Sequence, residues 1–296
     1  VYAESFEEQK KEWLSCVGDG IQECRNTWEH KKWNITDLPE FELAITIDRP
    51  ELYYDFLQKD WTRFCHDYWK NNFLEHHTLS KKRVTRIYIG NQFCHNLFPR
   101  KELLFQVLEK ALENNLAVTL AFSYIRNHLL EEIDELLQEL EVWCQSREKE
   151  AGKDQEEIIV NDWAMPILLQ GKPHLKPVLG VLLNKRRKDV RLPYKHGIGN
   201  HVDSLAENNL NCGFYQDYLK NTFDIQRFEF ESCGYKVTIP DGHHSLHLPF
   251  FQTNTSQYCT LYAVCRYGDR GKQKLPENCP RYCNKKVFLY PKHLKM

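Results

Sequence analysis

No run of apolar residues in the chain approaches the ~18 needed to cross a bilayer as a helix, and the opening residues (VYAESFEEQKKEW) are acidic and charged rather than arranged as a signal peptide. Those two absences predict a cytoplasmic protein. Charge of one sign is also missing: 40 Lys and Arg against 41 Asp and Glu leave a formal −1. With no global field to hold a nucleic-acid backbone or an anionic membrane, partners have to be argued from local sites. No Gly-x-Gly-x-x-Gly turn, Gly-rich phosphate loop, Gly-x-Ser-x-Gly elbow or His-Glu-x-x-His helix occurs, which removes the commonest dinucleotide, nucleotide, hydrolase and zinc-protease readings. No internal repeat is found either. What the chain does have is 13% aromatic residues, which excludes a disordered chain, and 296 residues, enough for one large barrel or two small domains. It also has eleven cysteines. In a reducing compartment they cannot be read as a disulfide framework, and an odd count leaves one over in any case. Val1 rather than Met opens the chain, so an upstream piece is expected.

From residue 40 onward, short β-branched runs alternate with longer amphipathic stretches. The expected strands are 41–48 (FELAITID), 84–90 (VTRIYIG), 116–123 (LAVTLAFS), 158–162 (IIVND), 178–184 (VLGVLLN), 225–231 (IQRFEFE) and 259–265 (CTLYAVC). Most are near-continuous apolar runs, as parallel strands covered on both faces require. Helical patterns lie between them at 51–74, at 101–115 and, most strongly, at 127–150. In the last, Asn127 is placed to cap and Leu129, Leu130, Ile133, Leu136, Leu137 and Leu140 form one stripe for packing on a sheet. Strand–helix–strand alternation argues for right-handed parallel crossovers, hence a doubly wound sheet or a β/α barrel. The absence of a dinucleotide turn, and of any point where the strand order reverses, favours a TIM-like barrel, incomplete or distorted, over 41–296, preceded by a helical extension over 1–40. Residues 185–209 break this rhythm and read as a surface excursion. Their Lys185, Arg186, Arg187 and Lys188 offer a phosphate or nucleic-acid contact, although a solvated charge run is the commoner meaning.

Near the carboxyl terminus, Cys265, Cys279 and Cys283 form a C-x13-C-x3-C pattern. Two cysteines three apart on a turn can direct both sulfurs to one centre, and a third would arrive from the end of the 259–265 strand. Four-thiolate iron–sulfur clusters and structural zinc both need a fourth ligand. Cys94, just past the 84–90 strand, is the best candidate, because the carboxyl ends of barrel strands meet at one face. Zinc rivals iron–sulfur here, although the separation of Cys94 from the others is unlike a compact zinc ribbon. Unconnected cysteines are the third reading.

The segment RIYIGNQFC resembles the strand leading to a cluster cysteine in the U-thirty-two (collagenase-like) peptidase family, in its UbiV-like iron–sulfur branch. IIVNDWAMPILL is similar to that family's Asn-Asp strand end, VLGVLLNKRRKDVR to its Leu-Leu-Asn segment, and AVCRYGDRGKQKLPENCPRYC to its Cys-rich segment. The resemblance covers roughly 41–296 and implies a β/α barrel with a 4Fe–4S cluster on Cys94, Cys265, Cys279 and Cys283. It further implies hydroxylation or a related redox modification without molecular oxygen, with prephenate as oxygen source, on a small-molecule, nucleotide or peptide substrate. A non-catalytic, cluster-binding subunit of a heterodimer with a related family member is the alternative, as is a peptidase-like protein.

Several polar residues close apolar strands: Asp48 with Arg49, Asn161 with Asp162, and Asn184. At the carboxyl face of a barrel an amide or carboxylate can orient a substrate or act as acid or base, while each alone can equally cap the next helix. Glu229 and Glu231 would share one strand face, either as a metal- or proton-handling pair or as solvated charges. His243, His244 and His247 follow an Asp-Gly turn signal and read as a surface hairpin. His95, beside Cys94, would tune the cluster or lie exposed. Cys16, Cys24, Cys65, Cys144, Cys212, Cys233 and Cys259 have no partner pattern, although Cys259, on the same expected strand as Cys265, would line the pocket.

Overall fold

The β-branched runs become strands and the leucine stripes become the helices that cover them. The computed structural model describes residues 3–5, 40–151, 155–186, 207–232, 237–248, 250–252, 256, 258–276 and 278–288. Cys16, Cys24, Cys233, Arg187 and Lys188 therefore lie outside the described residues, as does nearly all of the expected 1–40 extension. Residues 40–253 form one compact unit; 1–39 and 254–296 form another.

In the smaller unit, β1 (Ala3–Ser5) pairs antiparallel with β9 (Lys286–Phe288). In the larger, β2 (Leu43–Ile47), β3 (Val84–Gly90), β4 (Ala117–Ala121), β5 (Glu156–Val160) and β6 (Leu175–Leu179) make a parallel sheet in sequential order. β7 (Glu229–Glu231) and β8 (Ser245–His247) are also parallel to each other. One parallel bridge, Leu179 to Phe228, joins β6 to β7. The architecture is mixed α/β, with a five-stranded parallel sheet flanked by helices.

Alternate residues face opposite ways along a strand, and here both faces are covered. Ile45, Ile47, Ile87, Ile89, Val118, Leu120, Ile158 and Val160 pack into one large core with the helices. From α1 (Pro50–Gln58) come Tyr53 and Phe56, from α2 (Trp61–Asn71) Phe64 and Trp69. α3 (Lys101–Glu113) contributes Leu104, Val107, Leu108 and Ala111 at helical spacing, α4 (Leu130–Ala151) Leu137 and Leu140, α5 (Met165–Leu168) Met165 and α6 (Gly213–Phe223) Leu219. Burying each such side chain stabilises the fold by about 1.5–3 kcal/mol. The opposite face is smaller and mixed: Ala44, Tyr88, Ala121, Ile159 and Val178 cluster there, and the rest of it is polar.

Four expectations need correcting. The 51–74 stretch is two helices, because Asp60 accepts the Arg63 N–H at 3.0 Å and so caps a new start. The 178–184 strand ends at Leu179; Gly180 sits against Asn161, and residues 181–183 turn. The 127–150 helix is preceded by a 3-10 turn at Asn127–Leu129 whose N-cap is Arg126 rather than Asn127, and Leu130 of its stripe is exposed. Finally, 259–265 is no strand. It is α7 (Thr260–Tyr267), capped by the Cys259 sulfur, which accepts the Tyr262 N–H at 3.3 Å, and stopped by Gly268 in the left-handed region. A seven-residue apolar run suits either element, and the two ends decide.

Candidate functional site

Parallel strands bring all their carboxyl ends to one edge, where open α/β sheets bind ligands. Asp48, Gln92, Ser123, Asn161, Asn184, Glu231 and His247 are all at or just past such ends. At the centre of the polar face is an ionic network that the strand runs alone did not announce. Arg227, Glu229 and Glu231 alternate with Phe228 and Phe230, which face the helices, so the charged side chains of this segment turn to the opposite face and are buried there. The Glu229 carboxylate is fully buried. It accepts from the Tyr88 hydroxyl at 3.0 Å and pairs with His247 Nε2, while an Arg227 guanidinium nitrogen stands 4.0 Å away. Arg227 also donates to the Tyr88 oxygen at 3.1 Å and to Ser245, and pairs with Glu157. Arg86 shares Glu157 at 2.8 Å and donates to Glu42 at 2.9 Å.

Burial alone would raise the Glu229 pKa, but the His247 charge and hydrogen bond, with Arg227 and Tyr88, outweigh it and hold Glu229 below the usual carboxylate value. Burial likewise works against the charged form of His247, and Glu229 more than compensates, so His247 is raised above an ordinary histidine. Both shifts favour the ionised pair of carboxylate and imidazolium. His247 retains 24% of its side-chain exposure against 0% for Glu229, so the pair has one buried and one accessible member. Burial, then Glu229, pushes the Tyr88 phenol up, and it stays protonated as a donor. The surface hairpin expected for the histidines is thus replaced by strand β8. His244 stacks on Phe228 with centroids 4.8 Å apart, and His247 joins the network.

The expected site residues fill mostly positioning roles. Asn161 is buried, with Nδ2 donating to the Phe122 carbonyl at 2.7 Å and to Gln92 at 3.3 Å, and Oδ1 accepting from Leu182 N at 3.2 Å. Gln92 in turn lies 3.4 Å from His247 Nε2, which links Asn161 to the pair. Asp162 accepts the Ala164 and Met165 N–H groups at 3.0 and 3.1 Å, and also that of Ile125. Asp48 pairs with Arg49 at 2.9 Å, and its carbonyl accepts from Asn91. Asn184 donates to the Glu229 carbonyl at 3.1 Å, and Arg186 to that of Glu231. Past the end of β6, these two side chains continue the ladder that the missing strand would have supplied. Lys185 donates to the Leu182 carbonyl at 2.6 Å. Lys185 and Arg186 are thereby turned to backbone carbonyls.

Of the expected cluster ligands, Cys94 belongs to the larger unit, half-buried, with its N–H donating to Asn91 Oδ1 at 2.9 Å. Cys265 on α7, Cys279, and Cys283 in a 3-10 turn (Tyr282–Asn284) belong to the smaller unit. Among the described residues, no three His, Cys, Asp or Glu side chains gather closely enough to hold a metal ion. Cys259 is exposed at its helix cap, not on a strand with Cys265. Burial raises the Cys65 and Cys144 thiols to about 12, which keeps both neutral and unreactive.

The sequence signal that would have found the network is the alternation in RFEFE, charged on one face where a covered strand should be apolar. A groove of about 390 Å³, lined by Pro166, Leu169, Leu175, Phe223 and Asp224 among others, lies away from all of these residues, beside the amino end of β6. No helix among the described residues is long and apolar enough to cross a membrane. No family model matches the chain, and no curated protein or solved structure is significantly similar to it.

Proposed function

We propose that the chain is a β/α-barrel enzyme that binds a small polar substrate at the carboxyl ends of its strands and exchanges a proton with it through His247. Support for the barrel comes from strand order, which is sequential and parallel from β2 to β8 with one bridge at the β6–β7 seam, and from Tyr88 on β3 touching Glu229 and Ser245 on β7 and β8. Contact between side chains from strands this far apart in the order is what a sheet curling on itself would give. The observation that carries the function is the Glu229–His247 pair, a buried carboxylate holding a partly exposed imidazolium in place. Glu229 fixes the ring through Nε2 and keeps it protonated. The ring can then donate a proton to a developing anion and recover it from solvent, while Tyr88 and Arg227 keep the carboxylate ionised.

The test is a nuclear magnetic resonance titration of the His247 ring, together with a screen for metabolite turnover by wild type and His247→Gln. A His247 pKa above 6.5, with turnover lost in a folded His247→Gln, is expected. A titration below 6.5, or full turnover in the variant, would overturn the proposal.

A second reading adds oxygen-independent redox chemistry, hydroxylation above all, with a 4Fe–4S cluster on Cys94, Cys265, Cys279 and Cys283. It is supported by the cysteine spacing, by the family resemblance, and by the Tyr262 and Tyr282 rings 6.2 Å apart, which bring the helix of Cys265 beside the turn of Cys283. The cluster would supply electrons. On this reading a related barrel protein is the natural partner, and a cytoplasmic location suits the thiols. Anaerobic preparation should give brown protein with iron and sulfide, both lost in Cys283→Ala. Colourless protein with stoichiometric zinc would sink this reading, and activity appearing only with a co-expressed relative would mark a subunit instead of an enzyme.

A further inference from the structure

We propose that Gln92 is a substrate contact whose carboxamide N–H binds a carbonyl or carboxylate oxygen of the substrate beside the His247 ring. This rests on the reading of His247 as the acid at the carboxyl ends of the strands, and it names the chemical group that the acid faces.

The orientation of Gln92 follows from the hydrogen bonds of its neighbours. Buried Asn161 meets one backbone acceptor and one backbone donor, the Phe122 carbonyl at 2.7 Å and the Leu182 N–H at 3.2 Å, so its nitrogen and oxygen cannot be exchanged. Its Nδ2 spends the second hydrogen on Gln92 at 3.3 Å, which fixes Oε1 as the Gln92 atom on that side and turns the NH2 group the other way. The backbone that carries Gln92 is held as firmly. Asn91 Oδ1 accepts the N–H groups of Phe93 and Cys94, both at 2.9 Å, while Asn91 Nδ2 donates to the Asp48 carbonyl at 3.2 Å.

The NH2 group so directed meets His247, with Nε2 of the amide 3.4 Å from Nε2 of the ring. That ring nitrogen has a single in-plane position, and the contact with Glu229 fills it, whichever of the two holds the proton. His247 therefore offers Gln92 no acceptor. None of the other described residues supplies one to this nitrogen, in a residue only 8% exposed. A buried amide donor is costly to leave unpaired, and such groups in folded proteins ordinarily have a partner. Its place beside the accessible member of the Glu229–His247 pair makes the substrate that partner. An oxygen held there meets a fixed neutral donor next to the acid, the arrangement that stabilises an oxygen on which negative charge develops. A substrate group that can only donate would leave the amide unpaired and be rejected.

Nuclear magnetic resonance of the full, isotope-labelled chain tests the contact. The side-chain NH2 signals of Gln92, identified as those missing from Gln92→Met, are followed during addition of acetate, of its neutral counterpart acetamide, and of ethylammonium, a donor of similar size without oxygen. Saturable shifts with acetate or acetamide and none with ethylammonium are expected; acetate alone would mark a carboxylate, and acetamide, alone or with acetate, a carbonyl. The dissociation constant read from the His247 ring signals should rise roughly tenfold in Gln92→Met and stay unchanged in Gln138→Met, which alters an exposed amide on α4. Gln92→Glu, which keeps an oxygen for Asn161 and removes the donor, serves for both measurements if Gln92→Met does not fold. No shift with either oxygen probe, an equal shift with ethylammonium, or an unchanged dissociation constant in the folded Gln92 variant would overturn the proposal. If the probes behave as expected while His247→Gln keeps turnover, the oxygen contact stands and the acid–base role falls; if His247→Gln loses turnover while Gln92 answers no probe, the reverse holds.

Discussion

The Tyr88 hydroxyl on β3 donates a 3.0 Å hydrogen bond to the Glu229 carboxylate on β7, a residue 141 positions further along the chain. That bond, with those the same oxygen makes with Ser245 and accepts from Arg227, ties β7 and β8 to the five-stranded sheet through side chains.

Removing that single oxygen should therefore be felt globally. Tyr88→Phe keeps the ring against His247 but leaves a fully buried carboxylate short of a donor, at a cost of about 1–3 kcal/mol. Urea denaturation measures it, and a loss under about 0.5 kcal/mol would show that the network is dispensable.

Stability should depend on pH from both sides. Because Glu229 is lowered in the fold, its contribution is present above its unfolded value of 4.5 and lost as pH falls through the folded value. His247 is raised, so its contribution is complete below its unfolded value of 6.5 and lost as pH rises through the folded one. Denaturant midpoints should peak between these limits, and His247→Gln should flatten the alkaline limb and, because His247 is the foremost of the groups that lower Glu229, weaken the acid limb as well.

Gly180→Ala should be poorly tolerated despite adding only a methyl group. A Cβ there would stand 2.1 Å from Asn161 Oδ1 and 2.7 Å from Ile159, forcing Asn161 away from Leu182 and Gln92. Overpacking of this kind costs about 1–3 kcal/mol, read as a lowered melting temperature, while Gly171→Ala tests backbone strain alone at φ +79 with nothing nearby.

Asp162→Ala should cost about 1–3 kcal/mol, because the N–H groups of Ile125, Ala164 and Met165, just ahead of and at the start of the short helix Met165–Leu168, lose their acceptor. Because its carboxylate accepts from these backbone N–H groups, iron or zinc content should not change. A change in metal content would return Asp162 to the chemistry.

The sequence was most readable where both strand faces are apolar. Residues 84–90 and 117–121 needed only β-branched runs, and 101–113 only helical spacing, because covering both faces leaves no other pattern. It was least readable where the two ends of an element decide its type, as at α7, and where a side chain's role depends on distant strands. His247 reads locally as part of a turn, and Glu229 as half of a pair that is equally solvated or metal- and proton-handling. The pairing of β7 with β8 makes them partners, and Tyr88 on β3 joins them. Asn161 and Asp162 follow β5 directly, as expected, whereas Asn184 lies beyond a turn past the end of β6, and the hydrogen bonds of all three run largely to backbone that spacing does not reveal.

The seam between β6 and β7 has one backbone bridge, with Asn184 and Arg186 finishing the ladder. A joint closed by side chains has fewer cooperative bonds to break than one closed by main chain, so local opening should begin there. Amide protons of Phe228 to Glu231 should exchange with solvent ahead of those in β3 to β5, making this seam the natural door to the interior of the molecule.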